Sequence, residues 1–153
     1  MSRKARRAPR GVVDTSVVIA GAAAFRGAPL RPQTESGKLL LRWIEEGHFR
    51  WLYTEEILDE YKEILKRFNV RPVVIGRFIN LLREEGVSVR VRKSDSVSPD
   101  PGDDPFCACA ERGNASFLVT LNSRDFPQQR LAAKVIRPGE ELPPSKTKRS
   151  ARR

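Results

Sequence analysis

The sequence predicts an α/β domain of three layers, a central, mainly parallel sheet of four to five strands with helices on both faces. Two observations carry that prediction. Short apolar runs alternate with segments whose apolar residues recur at helical spacing, the pattern of repeated strand–helix units. The first run, Gly11-Val12-Val13-Asp14-Thr15-Ser16-Val17-Val18, has apolar residues on both sides of a single carboxylate. A strand covered on both faces and ending in an acidic site reads this way.

Asp14 is therefore placed at the carboxyl end of the first strand, the edge at which open α/β sheets bind ligands. The same position suits a helix N-cap, and Thr15 or Ser16 can also cap the helix that follows. Residues 16–24 suit a short helix with Val17, Val18, Ala20 and Ala24 on its buried side, broken across 25–33 by Gly27, Pro29 and Pro32. A second helix spans about 34–46, with Leu39, Leu40, Trp43 and Ile44 as its stripe and Gly47 as its stop. Residues 49–53 form a second strand. Thr54 then caps a helix whose stripe is Ile57, Leu58, Tyr61, Ile64, Leu65 and Phe68. Pro72 opens another helix that ends before Gly86. A third strand covers 87–91, a polar loop 94–104, a helix runs to about Arg112, a fourth strand covers 116–120, and a short fifth at 134–136 lies at or near an edge.

The 153 residues suffice for one domain with a real core. The formal net charge of +10 is peripheral: residues 1–10 hold five basic residues and no acid, and residues 140–153 hold five with two glutamates. The expected organisation is a basic flexible tail at 1–10, a folded domain at 11–139 and a second basic tail at 140–153. Such arms attract a polyanion in a salt-sensitive way, or merely solubilise the chain. Cys107 and Cys109, two apart in one helix, project differently and read as small buried residues, not as a disulfide or a zinc pair. The single histidine, His48, excludes a histidine-rich metal site and argues against a Ser/His/Asp hydrolase; after Gly47 it suits a partner for the C-terminal helix dipole. No apolar run approaches a membrane span and no signal-peptide core follows the basic N-terminus, so a cytoplasmic protein without a membrane partner is expected.

Asp14, Asp104 and the Asn122/Asp125 pair all fall just beyond strand ends or at a helix start. Glu60, between the stripe positions Ile57 and Ile64, can reach the core-facing edge of its helix. Carboxylates converging without basic neighbours repel one another and call for a cation. Hard oxygen donors without histidine or cysteine suit Mg²⁺ or Mn²⁺, ions that polarise a phosphate and activate water.

In order, Val13-Asp14-Thr15-Ser16-Val17, Glu60 within Leu58-Asp59-Glu60-Tyr61, Asp100-Pro101-Gly102-Asp103-Asp104-Pro105-Phe106, and Leu118-Val119-Thr120-Leu121-Asn122-Ser123-Arg124-Asp125-Phe126 resemble the motifs of the PIN-domain family. The likeness covers about residues 11–139 and is nearest to bacterial and archaeal PIN proteins described as toxins of toxin–antitoxin pairs, related to VapC-type toxins. It implies a metal-dependent ribonuclease and carries the family's acidic positions onto Asp14, Glu60 and Asp104, with Asp103 as a lesser alternative to Asp104. At the fourth position an acid often follows Thr-x; here Asn122 stands there, with Asp125 three residues later. The expected catalytic set is Asp14, Glu60 and Asp104; the expected ligands of Mg²⁺ or Mn²⁺ are Asp14, Asp104 and Asn122 or Asp125; Thr15, Ser16, Asp103 and Thr120 support them. The expected partners are RNA, a cognate antitoxin and further copies of the chain in a homodimer or higher oligomer. The alternative is a non-catalytic nucleic-acid-binding PIN-like module whose carboxylates hold a structural ion.

Overall fold

The computed structural model describes residues 8–25 and 34–146, so expectations for residues 1–7 and 147–153 and for the break at Gly27, Pro29 and Pro32 lie outside the described residues. Five strands, β1 (Arg10–Val13), β2 (Arg50–Tyr53), β3 (Val87–Ser88), β4 (Phe117–Val119) and β5 (Lys134–Ile136), form one sheet in the order β3-β2-β1-β4-β5. Every pairing is parallel. The helices between them are α1 (Thr15–Ala20), α2 (Glu35–Glu46), α3 (Glu55–Arg67), α4 (Pro72–Glu85) and α5 (Asp104–Arg112).

This order makes the chain build outward from β1 to β2 and β3, then return across β1 to add β4 and β5 on the other side. The connections leaving β1 and β4 therefore part in opposite directions. A crevice opens between them at the carboxyl ends, the topological switch point at which such sheets bind ligands. Asp14 follows β1 there and Thr120 follows β4.

Two packed faces hold the sheet. Register sets Trp51, Gly11 and Phe117 side by side on one face, where the Phe117 ring occupies the space a Cβ on Gly11 would need. Trp43 of α2, Tyr61 of α3 and Phe78 of α4 close around Trp51, with ring centroids 4.9, 5.7 and 5.6 Å away. Fully burying a side chain of this size contributes roughly 1.5–3 kcal/mol, so this aromatic group anchors three helices to the sheet. The opposite face carries Val12, Leu52 and Leu118 beneath α5, whose C-cap, Gly113, lies against the Leu52 side chain.

Most caps are where local chemistry puts them. Thr34 and Thr54 accept from Gly37 N and Ile57 N at 2.9 and 3.1 Å, Gly47 ends α2 in the left-handed region at φ 58°, and Pro72 stands in the first turn of α4. Four expectations change. The helix expected over 16–24 stops at Ala20, with Gly21 as its C-cap, and a 3-10 turn, Ala22–Phe25, follows. Its cap is Asp14, not Thr15 or Ser16, which both lie inside the first turn. The strand expected over 87–91 pairs only at Val87–Ser88, with one further bond from Val89 N to Tyr53 O, because β2 ends where Thr54 starts α3 and leaves nothing to pair with. The sheet also takes in residues assigned to the N-terminal tail: Arg10 belongs to β1, Arg50 N bonds Pro9 O at 2.8 Å, and Arg50 Nε bonds Ala8 O at 3.3 Å.

His48 is not a charged partner for the α2 dipole. Burial, with Arg42 nearby, pushes its pKa down to about 4 against the pull of Glu46, so the ring is neutral at pH 7. Cys107 and Cys109 are buried free thiols, and burial holds both at about 12. No described helix is long and apolar enough to cross a membrane.

Candidate active site

The crevice is built around Asp14, which is 6% exposed. Its Oδ2 receives the Ser16 hydroxyl at 2.6 Å, the Thr120 hydroxyl at 2.8 Å and the Ser16 amide at 3.4 Å. Each hydroxyl spends its proton on Asp14 and accepts a loop amide in return: Leu121 N donates to Ser16 Oγ and Asn122 N to Thr120 Oγ1, both at 3.0 Å. The loop after β4 is thereby tied to the first turn of α1. With three donors on Oδ2, Oδ1 has no hydrogen bond among the described residues and remains the free acceptor. Ser16 and Thr120, expected as supporting residues, hold Asp14 in this orientation.

Behind Asp14 a buried relay holds the end of β1. Trp51 Nε1 donates to Tyr61 Oη at 3.2 Å, and Tyr61 Oη donates to the carbonyl of Val13. Tyr61 is fully buried, and burial raises its pKa well above the usual value, so it stays a neutral donor. The sequence marked Tyr61 only as an apolar stripe position.

Three further carboxylates act on the same space. Glu60 of α3 is half-buried; burial raises its pKa first, and Asp14, Glu56 and Asp103 raise it further. The Thr15 hydroxyl is close enough to hold it down a little, yet makes no hydrogen bond of ordinary geometry, since Thr15 Oγ1 is buried and unpartnered. Asp103 is at the N-cap position of α5 with no capping hydrogen bond from its side chain. Burial, followed by Asp100, Asp14 and Asp125, pushes its carboxyl up to about 6. Among the described residues, no lysine or arginine acts on Asp103 or Glu60. Asp125 is exposed in the 3-10 turn Ser123–Asp125, which Asn122 precedes; Asp125, not Asn122, bears electrostatically on Asp103.

Asp104 is turned elsewhere. Its Oδ1 accepts Val97 N at 2.7 Å and Ser98 N at 2.8 Å, pinning the polar loop before α5. Burial pushes its pKa up, but these two bonds outweigh burial and leave it below the usual range. Asp103 thus stands within electrostatic reach of Asp14, Glu60 and Asp125, while Asp104 Oδ1 organises the loop before α5.

These oxygens fit a hard divalent cation. Asp14 Oδ1 is a free, partly enclosed acceptor, and the raised Asp103 and Glu60 carboxyls repel one another for want of positive charge. Among the described residues, no three acidic, histidine or cysteine side chains close a cage by themselves. Mg²⁺ is commonly held by one or two carboxylates, with water and substrate phosphate completing its shell, and this more open donor set suits that habit.

Carboxylates gathered at the switch point of a parallel sheet make a ligand-binding crevice suited to a cation. The PIN-domain family model matches residues 10–124, three quarters of the chain, and the protein belongs to the PIN-domain family, whose members are generally nucleases that use divalent metal ions. No curated protein matches the chain.

Proposed function

We propose that this protein is a Mg²⁺- or Mn²⁺-dependent endoribonuclease that hydrolyses RNA phosphodiester bonds, and that it acts as the toxin of a toxin–antitoxin pair. The observation that supports the reading is the mutual repulsion of Asp14, Glu60 and Asp103 in one crevice, with no basic side chain acting on Glu60 or Asp103 among the described residues. A cation there would polarise the scissile phosphate and supply an activated water. Asp14 and Asp103 are its proposed holders, with Asp125 or Asn122 at the fourth family position. Glu60, its carboxyl raised by burial, orients and deprotonates the attacking water. Asp104, expected among the catalytic groups, acts through Asp103 by fixing the 97–104 loop. Ser16 and Thr120 fix Asp14, and Thr15 points an unspent hydroxyl toward Glu60.

The toxin role rests on the motif likeness. The test is cleavage of single-stranded RNA with Mg²⁺ or Mn²⁺, with and without chelator, by wild type and Asp14→Asn. Near-normal metal-dependent activity in Asp14→Asn removes the site assignment. Growth arrest on expression of wild type but not Asp14→Asn, relieved by co-expressing the product of an adjacent small gene, is expected of a toxin; no arrest removes that role and leaves the ribonuclease standing.

A further inference from the structure

The amino edge of the sheet, opposite the acidic crevice, carries a row of polar groups that the nuclease reading does not use. Arg10 is the direct neighbour of Arg50 across β1 and β2. On its other side Gly11 faces Phe117, which brings Ser116 beside Arg10, and Ser116 N donates to Arg10 O at 2.8 Å. Register neighbours in a parallel sheet point to the same face. The row Arg50, Arg10, Ser116 therefore looks out beneath the C-terminal end of α5, where Arg10 Nη1 donates to Gly113 O at 3.1 Å.

This arrangement is costly as it stands. Like charges on adjacent strands repel. Neither guanidinium has a carboxylate within ion-pair distance among the described residues, and each makes one hydrogen bond, to a carbonyl, leaving most of its donors over. Burial and the charge of Arg10 together lower the pKa of Arg50. Two atoms of the row, Arg10 Nε and Ser116 Oγ, are buried without a hydrogen-bond partner, and Ser116 is only 5% exposed. Buried polar groups are almost always partnered, so two orphans beside two unpaired cations ask for an anion.

We propose that Arg10, Arg50 and Ser116 form an oxyanion site that takes a phosphate group of the RNA strand. Two planar guanidinium forks with a hydroxyl beside Arg10 suit a multi-oxygen anion, and the carbonyl bonds to Gly113 and Ala8 hold the forks in place. The site goes beyond the nuclease reading and rests on it only for the source of the phosphate. Helix α5 joins the two ends of the domain, with Asp103 at its start and Gly113 at its finish, and its nine residues span about 14 Å. A strand lying along α5 would thus be held at the amino edge while it is cut at the carboxyl edge. Lys146 adds a further basic group near the same edge, its Nζ donating to Asn114 Oδ1 at 3.4 Å.

The test uses the full chain. Inorganic phosphate, compared with chloride at equal ionic strength, should raise the Tm of wild type saturably. The rise should vanish in Arg50→Gln and shrink in Ser116→Ala, a small buried change that keeps the test available if the arginine variant folds poorly. Binding of a non-cleavable 2′-O-methyl oligonucleotide should lose about 0.7 from its log–log salt slope in Arg50→Gln for one phosphate contact removed. Equal Tm in phosphate and chloride, or a phosphate effect that survives both substitutions, overturns the site. A phosphate effect with an unchanged oligonucleotide slope overturns RNA as the occupant in favour of free phosphate. Because both readouts are binding, they hold for a protein that cuts nothing, so failure of the nuclease reading would be seen separately.

Discussion

Replacing Asp103 by Asn should stabilise the metal-free protein at neutral pH. The Asp103 carboxyl is raised from an ordinary 3.8 to about 6 by burial and by Asp100, Asp14 and Asp125. A pKa that is higher in the folded state means that folding is helped by protonation, so stability is lost as pH rises from about 4 through about 6 and the full cost is present above that window. Two units correspond to about 3 kcal/mol at about 1.4 kcal/mol per unit. Because Asp103 is partly exposed, solvent screening cuts that to about 1–2 kcal/mol. For a domain of this size the Asp103→Asn protein should melt about 2–8 °C higher at pH 7, with the difference closing toward pH 4. Thermal unfolding followed by circular dichroism in chelator, from pH 4 to pH 8, reads it directly. Added Mg²⁺ or Mn²⁺ should raise the Tm of wild type and leave that of the variant nearly unmoved. Curves that run parallel across the pH range, or a variant less stable at pH 7, would refute the assignment of Asp103 to a repelling cluster.

Asp104→Asn should behave in the opposite sense: its carboxyl is held below the usual range, so its stabilisation is present at neutral pH and fades as pH falls, and its loss should cost about 1–3 kcal/mol in urea unfolding at pH 7 while shrinking in acid. If Asp125 supplies a ligand, Asp125→Ala should weaken metal affinity more than Asn122→Ala, because a carboxylate brings charge that an amide lacks; the reverse order in a metal titration assigns the position to Asn122. Tyr61→Phe deprives the buried Val13 carbonyl and Trp51 indole of their partner and should cost about 1–3 kcal/mol, with a fall in kcat if the end of β1 shifts; unchanged stability and kcat would remove Tyr61 from the positioning of Asp14. Deleting residues 1–7 and 147–153 spares β1 and every proposed ligand, so RNA binding should become less salt-dependent while turnover at saturating RNA survives; an unchanged slope would make the tails solubilising only.

Much of this protein was legible in one dimension because its signals are local. A helix start depends on whether a hydroxyl stands where free amides need an acceptor, which Thr34 and Thr54 answer on their own, and a stripe such as Ile57, Leu58, Tyr61 and Leu65 needs only the helical period. A carboxylate closing an apolar run, as Asp14 closes β1, is equally local, as is the alternation that makes the sheet parallel. What followed from tertiary structure concerns direction and neighbours. The order β3-β2-β1-β4-β5, which brings Thr120 to Asp14 across 106 positions, depends on which side of β1 the returning chain takes. Asp103 and Asp104 are chemically the same and one residue apart, and a step of one residue at a helix start swings a side chain through more than a quarter turn. Only the folded loop, offering the Val97 and Ser98 amides to Asp104, decided which of them ties down that loop. Arg10, Arg50 and Ser116 likewise come from three separate stretches of chain, and strand register alone made them neighbours.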